Sequence, residues 1–266
     1  MIQSAVTISL VPALRGGPWI LWDDLATSCR KAADLGFDGV ELFTPGPEAE
    51  GLESALAETG LGLAAVGTGA GKVLHGLTLT DADAGVRARA VEFIKSMIDF
   101  GAPHGAPAII GSMQGMHGGD RAEALKLLAE GLEELGAHAC SQGVKLIYEP
   151  LNRYETNLFN RLGDGADFLD GLATDGVVLL ADLFHMNIEE ADIAAVLREA
   201  SRHVGHVHFA DSNRRPIGHG HLDVAPVAAA LHETGYDRYV SAEAFDWPDP
   251  DAAARQTIDS FRKYFR

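Results

Sequence analysis

Basic residues are scarce in this sequence. Its 21 Lys and Arg face 38 Asp and Glu, giving a formal net charge of −17. Nucleic acids and anionic membranes are bound through a cationic face that releases counterions, so neither is expected as a partner. Cysteine is nearly absent. Cys29 and Cys140 stand far apart, each inside a helical pattern, which excludes a disulfide framework and predicts two buried thiols in a reducing cytoplasm. Long apolar runs are missing too: nothing approaches the roughly 18 residues of a membrane span. The start, "MIQSAVTISLV", has neither a basic n-region nor a small-residue cleavage site, so no signal peptide is expected. No Pro/Ser-rich linker, charge run or low-complexity tract interrupts the 266 residues, and one domain over 1–266 is expected. The glycine-rich "VGTGAGKVL" (66–74) is not a phosphate loop, because Val occupies 66, where Gly is required, and 73, where Ser or Thr is required. It reads as a flexible loop.

What the chain does have is alternation. Short β-rich runs lie at 5–11, 39–43, 61–67, 106–112, 144–149, 176–182, 204–210 and 239–245. Helically spaced apolar residues follow at 23–35, 47–59, 81–100, 120–141, 164–173, 189–201, 225–234 and 251–264. Eight strands alternating with eight helices predict a parallel sheet, and the count favours an α/β fold closed as a (β/α)₈ barrel over an open doubly wound sheet. A faint echo between "LGFDGVEL" and "TGYDRYVSAE", each a helix stop, turn, strand and acid, fits a repeated unit.

A barrel of this kind works at the C-terminal ends of its strands. Here those ends carry Glu149 on the fifth strand, Asp182 and then His185 on the sixth, His208, Asp211 and Arg214 on the seventh, and Glu243 on the eighth. Glu149, Asp182, His208 and Glu243 are each spaced by about one βα unit, so four side chains converge on one mouth. Three carboxylates and an imidazole repel or shift their pKa values unless a cation joins them. An oxygen-rich set with one nitrogen suits Mn²⁺ best, with Mg²⁺ or Co²⁺ possible, better than a thiolate-rich zinc site.

The motifs "YEPLNRYETN", "DLFHMNIEE", "HVHFADSNRRPIGHGHLD" and "SAEAF" together resemble the D-tagatose 3-epimerase/D-psicose 3-epimerase family of the xylose isomerase-like TIM-barrel superfamily. The resemblance is strong over 145–245 and weak before it. It implies that Glu149, Asp182, His208 and Glu243 hold one divalent metal ion and that Glu149 and Glu243 are an acid/base pair. It further implies that Glu155 contacts substrate, and that His185 and Arg214 hold the O1/O2 end of a ketose. The reaction it implies is epimerisation at C3 through a cis-enediolate: one glutamate removes the C3 proton and the other returns one from the opposite face. A sugar is the expected small-molecule partner, and a homodimer or homotetramer the expected assembly.

Other residues are weighed beside these. Gln114, Met116 and His117 follow the fourth strand and can line the pocket, or simply fill a turn rich in glycine. Trp19 and Phe245 fall over the mouth, to stack on a sugar or close the pocket, with core packing as the alternative for Trp19. Glu41 ends the second strand and is expected to be a supporting or structural carboxylate, not a ligand. His206, read as alternating with His208, is expected to face the helix layer. His219 and His221 in "RRPIGHGH" can meet an anion, but Pro and Gly mark a loop first. Four competing functions remain: an aldose–ketose or hydroxypyruvate-type isomerase; a lyase or dehydratase on a keto-sugar or inositol; a zinc phosphodiesterase; and a non-catalytic sugar binder. The phosphodiesterase would need extra His after the second and third strands, where "ELFTPG" and "AVGTGAG" offer none.

Overall fold

A computed structural model describes residues 1–266. In chain order the elements are β1 (Gln3–Ser9), α1 (Leu25–Leu35), β2 (Gly39–Phe43), α2 (Leu52–Thr59), β3 (Gly62–Gly67), α3 (Ala70–His75), α4 (Ala84–Gly101), β4 (Ala108–Ile110) and α5 (Arg121–Ser141). They continue with β5 (Leu146–Tyr148), α6 (Leu162–Asp170), β6 (Val177–Asp182), α7 (Leu183–Glu189), α8 (Ile193–Glu199), β7 (Val204–His208), α9 (Val224–Glu233), β8 (Tyr239–Ala242) and α10 (Pro250–Phe265). The eight strands are parallel and close in sequence order, β8 pairing with β1. Local chemistry explains the helix starts: Asp24, Asp83, Asp120, Asp182, Asp192, Asp223 and Asp249 each accept a first-turn amide. Gly36, at φ 85°, ends α1 in the left-handed conformation that glycine adopts without a Cβ penalty.

The expected strands are all present, but β4 and β5 shrink to three residues each. Pro107 precedes one and Pro150 follows the pair's next residue, and proline has no amide to give a ladder. Two helices were not anticipated. One is α3, inside the glycine-rich stretch. The other is α7, which begins directly after β6.

The main apolar core lies between the outer faces of the strands and the helices. A separate, smaller plug of Ala65, Ile109, Ile147 and Leu180 fills the barrel itself. Strand periodicity then fixes what sits above it. Ile147 and Glu149 share a face, as do Leu180 and Asp182, so the inward apolar rung is followed by an inward acid. The same rule corrects the reading of His206. Residues i and i+2 point the same way, so His206 lies inside the barrel beneath His208, with its ring 5.5 Å from the upper ring. Cys29 is buried as expected, and burial pushes its thiol up to about 11. Cys140 is exposed, because it faces out from the last turn of α5 beside Asp175. No helix is long and apolar enough to cross a membrane.

One helix–strand contact is unusually close. A Cβ on Gly176, just before β6, would stand 2.1 Å from the Gly136 carbonyl oxygen of α5 and 2.5 Å from its carbon. Backbone cannot move aside as a side-chain tip can. Gly176→Ala is therefore expected to cost about 3 kcal/mol, the upper range for overpacking, read as a lower midpoint in urea at unchanged slope.

Candidate functional site

The cluster forms at the strand tips for local reasons. Asp182 caps α7: its Oδ1 accepts from the amides of Phe184 (2.8 Å) and His185 (3.2 Å). That leaves Oδ2 free to face inward, 3.2 Å from His208 Nδ1. Glu149 Oε1 and Glu243 Oε2 approach the same nitrogen at 3.8 and 3.5 Å. The four side chains singled out by spacing thus meet at one point. Glu149 Oε1 is buried and has no hydrogen-bond partner. Its other oxygen, Oε2, rests against Gly111, where a Cβ would stand 2.6 Å away.

The surrounding loops supply donors. Arg214 reaches Asp182 Oδ2 at 2.6 Å and also pairs with Glu243. It is the one non-glycine residue with positive φ (61°), and its guanidinium lies 5.0 Å from the Phe184 ring. The knot that holds it there is Asp211, whose side chain accepts amides from Ser212, Gly218 and Leu222. So "DSNRRPIGHGH" is indeed a built loop. Its His219 and Arg215 pack on Trp247 (ring centroids 4.9 Å apart, guanidinium 4.2 Å from the ring).

His185 is oriented by a residue the sequence reasoning passed over. Asn152, almost wholly buried, uses its Oδ1 to accept the Tyr154 amide, so its Nδ2 must be the atom 2.7 Å from His185 Nδ1. His185 therefore accepts at Nδ1 and carries its proton on Nε2, which points at Glu149 Oε1 (3.7 Å). The same Asn152 amide donates to Glu155 Oε1 at 2.8 Å and draws that acid toward the mouth. The crowded "PLNRYET" turn gave the signal: an Asn two residues before an aromatic amide is a ready turn-former.

These groups border a cavity of about 470 Å³. Glu155, His185, Arg214, Phe245 and Trp19 all line it. Trp19 serves both readings at once, packing at 4.1 Å on the Phe43 ring while forming the wall. Gln114 does not line it. It is fully buried behind the site, its amide donating to the Glu149 and Gly111 carbonyls (2.9 and 3.0 Å) and its oxygen accepting from Tyr148. The inward β5 strand needed a polar bolt there, and Gln114 is that bolt. Met116 and His117 stand farther out along the loop, and Gly111 and Ser112 line the cavity in their place.

Electrostatics follow the crowding. Burial pushes the Glu149 carboxyl up to about 8; His208 opposes the rise and Asp182 adds to it. Burial would also raise Asp182, yet Arg214 above all, with the hydrogen bond from His208, holds it far below the usual carboxylate range. Burial would lower His208, but Glu41, Asp182 and Glu149 carry it up to about 10. His185 moves down, chiefly through burial, which keeps it neutral. Asp182, His208 and Glu243 offer ligand atoms within 4.8 Å of one another, and Glu149, Asp182 and His185 do the same. With an orphaned carboxylate oxygen beside them, these donors fit a hard divalent cation.

Comparison with known proteins agrees with this geometry. The model of the family described as "Xylose isomerase-like TIM barrel" matches residues 29–264. An L-ribulose 3-epimerase of Mesorhizobium japonicum is 31% identical over 84% of this chain and 76% of its own. A 3-dehydro-D-guloside 4-epimerase of Escherichia coli is 33% identical over 53% of this chain and 52% of its own. Among solved structures, one described as L-ribulose 3-epimerase superposes with a TM-score of 0.84 at 25% identity, covering 100% of this chain and 95% of the other. The chain belongs to the xylose isomerase-like TIM-barrel family.

Proposed function

We propose that this protein is a divalent-metal-dependent epimerase of keto-sugars that inverts the carbon beside the carbonyl, C3 of a ketose. Glu149 and Glu243 form its acid/base pair. The observation that carries the reading is their placement. They project from β5 and β8, three strands apart around the mouth, and both close on His208 Nδ1. A sugar lying between them has a carboxylate on either side, which is what inversion requires. The ketose 3-epimerase relatives support the same class.

Glu149, Asp182, His208 and Glu243 would hold the metal ion, Mn²⁺ in the first instance. When bound it supplies Lewis-acid polarisation of the carbonyl and offsets the charge that develops. The chain's own residues do the rest. One glutamate removes the proton on its side of the substrate, leaving an enediolate, and the other glutamate protonates the opposite face. Arg214 and the Nε2–H of His185 supply donors toward the sugar oxygens. Glu155 binds hydroxyls from the rim, and Trp19 and Phe245 present flat apolar faces to the ring.

A second reading rests on the Escherichia coli relative. Epimerisation at C4 of a 3-keto sugar is the same chemistry, proton transfer beside a ketone, with the substrate moved by one carbon. A substrate panel in D₂O with Mn²⁺ separates the cases: ketopentoses, ketohexoses and a 3-keto-glycoside. Deuterium at C3 of a ketose supports the first reading, and deuterium at C4 of the 3-keto-glycoside the second. Deuterium only at C1, or none anywhere, sinks both. Extended EDTA treatment is expected to remove at least about 99% of activity and Mn²⁺ to restore it, since the metal carries several kcal/mol of charge stabilisation. Activity that survives chelation with no metal in the protein would contradict the metal assignment.

We place the enzyme in the cytoplasm as a homodimer or homotetramer. Exposed Tyr154, Phe245 and Trp247 on mouth-side loops support association. Light scattering that gives the 28.2 kDa monomer mass would overturn it.

A further inference from the structure

Glu41 lies on β2, across the barrel from β7, yet its carboxylate meets both β7 histidines. Its Oε1 stands 3.0 Å from His208 Nε2 and its Oε2 stands 2.8 Å from His206 Nε2. All three side chains are at least 95% buried. An ionised carboxylate only accepts, so both facing nitrogens are donors. With Nε2 of His208 committed as a donor to Glu41, Nδ1 is the nitrogen that would give up its proton and offer a lone pair when a cation binds. That is the atom that Asp182, Glu149 and Glu243 surround. Strand register makes the arrangement possible, because His206 and His208 stack on one inward face and Glu41 reaches both from the far wall. The apolar plug of Ala65, Ile109, Ile147 and Leu180 is the other half of the same layer, so the ion-rich trio is held in a dry, packed setting.

We infer that Glu41 and His206 are positioning residues for the metal centre: Glu41 fixes the tautomer and tilt of His208, and His206 fixes Glu41. This rests on the metal reading proposed above and adds two residues to it. A carboxylate behind a metal-bound imidazole makes the ring a better ligand, and losing such a partner typically weakens metal affinity by roughly 10–100-fold. Neither residue lines up with a substrate-binding role. His206 is not part of the mouth cavity's wall, and Glu41, although it borders the cavity, has both carboxylate oxygens engaged by the two histidines.

The test is Mn²⁺ binding, read from the free-ion electron paramagnetic resonance signal, on the wild type, Asp182→Asn, Glu41→Gln, His206→Leu and His206→Gln. Glu41→Gln is expected to bind Mn²⁺ roughly 10–100-fold more weakly than wild type at unchanged far-UV circular dichroism. His206→Leu, which strands Glu41 Oε2, is expected to weaken binding severalfold. His206→Gln should recover most of that loss, since the Gln amide can donate from nearly the position of His Nε2. In ¹⁵N-histidine protein loaded with diamagnetic Mg²⁺, His208 should show a protonated Nε2 and an unprotonated Nδ1, and this signature should be lost or mixed in Glu41→Gln. If Glu41→Gln fails to fold, the His206 pair decides the matter. Wild-type-like binding in the tested Glu41 or His206→Leu variant, with Asp182→Asn impaired, overturns the inference and leaves the metal site intact. A wild type that takes up no Mn²⁺ overturns the metal reading itself.

Discussion

Glu149→Gln and Glu243→Gln should each lower kcat by roughly 10³-fold at saturating Mn²⁺, a loss of about 4 kcal/mol of transition-state stabilisation. Glutamine keeps the shape of each side chain and an oxygen able to face a cation, but it cannot take a proton from carbon. The sharper expectation concerns isotope exchange. With two bases on opposite sides, each variant retains the base that serves one face. Glu149→Gln should therefore still exchange the reactive proton of one epimer with D₂O, without inversion, and Glu243→Gln that of the other. A kcat within tenfold of wild type in either variant removes that residue from the acid/base pair. Exchange of both epimers in one variant would mean a single base serves both faces.

The barrel was legible because its grammar is local. Apolar runs of strand length repeat eight times, with Asp at most helix starts and Gly at several stops, and each follows from chain chemistry alone. The cluster was legible for a related reason. One acid or imidazole per βα unit can only converge if the units close on themselves. The failures came where a second element decides. His206 is the exception, since strand period two alone puts it on the face of His208; only its partner, Glu41, lies far off, 165 residues away. Gln114 carried the right chemistry for a pocket. What decides its direction is the Tyr148 hydroxyl and the Glu149 carbonyl, two partners about 35 residues on that only the packed β5 brings within reach. Asn152 was visible in the sequence as one polar residue among many. Its importance depends on His185, which reaches it only once β5 and β6 lie side by side.

Gly111→Ala should lower kcat/KM by about 10²-fold while leaving stability nearly untouched, and it is the change that sequence would least suggest. What the new methyl meets decides the outcome. It would lie 2.6 Å from Glu149 Oε2, but 3.7 Å from Cδ and 3.9 Å from the Leu151 side chain. Only the tip of one side chain is in the way, and that tip can move, because Glu149 Oε1 has no hydrogen bond to hold it. Folding therefore loses little: less than about 1 kcal/mol, or a Tm shift of roughly 2–4 °C at most for a chain of this size. The carboxylate, however, is pushed off the position it shares with His208 and Asp182. Displacements near 1 Å can cost about 10²-fold when reacting groups must be aligned. Gly176→Ala makes the contrast, since its clash is with backbone and its cost falls on stability instead. Measuring Tm and kcat/KM on both variants separates the two effects. Wild-type kcat/KM in Gly111→Ala would show that the carboxylate does not work from the place where the fold puts it.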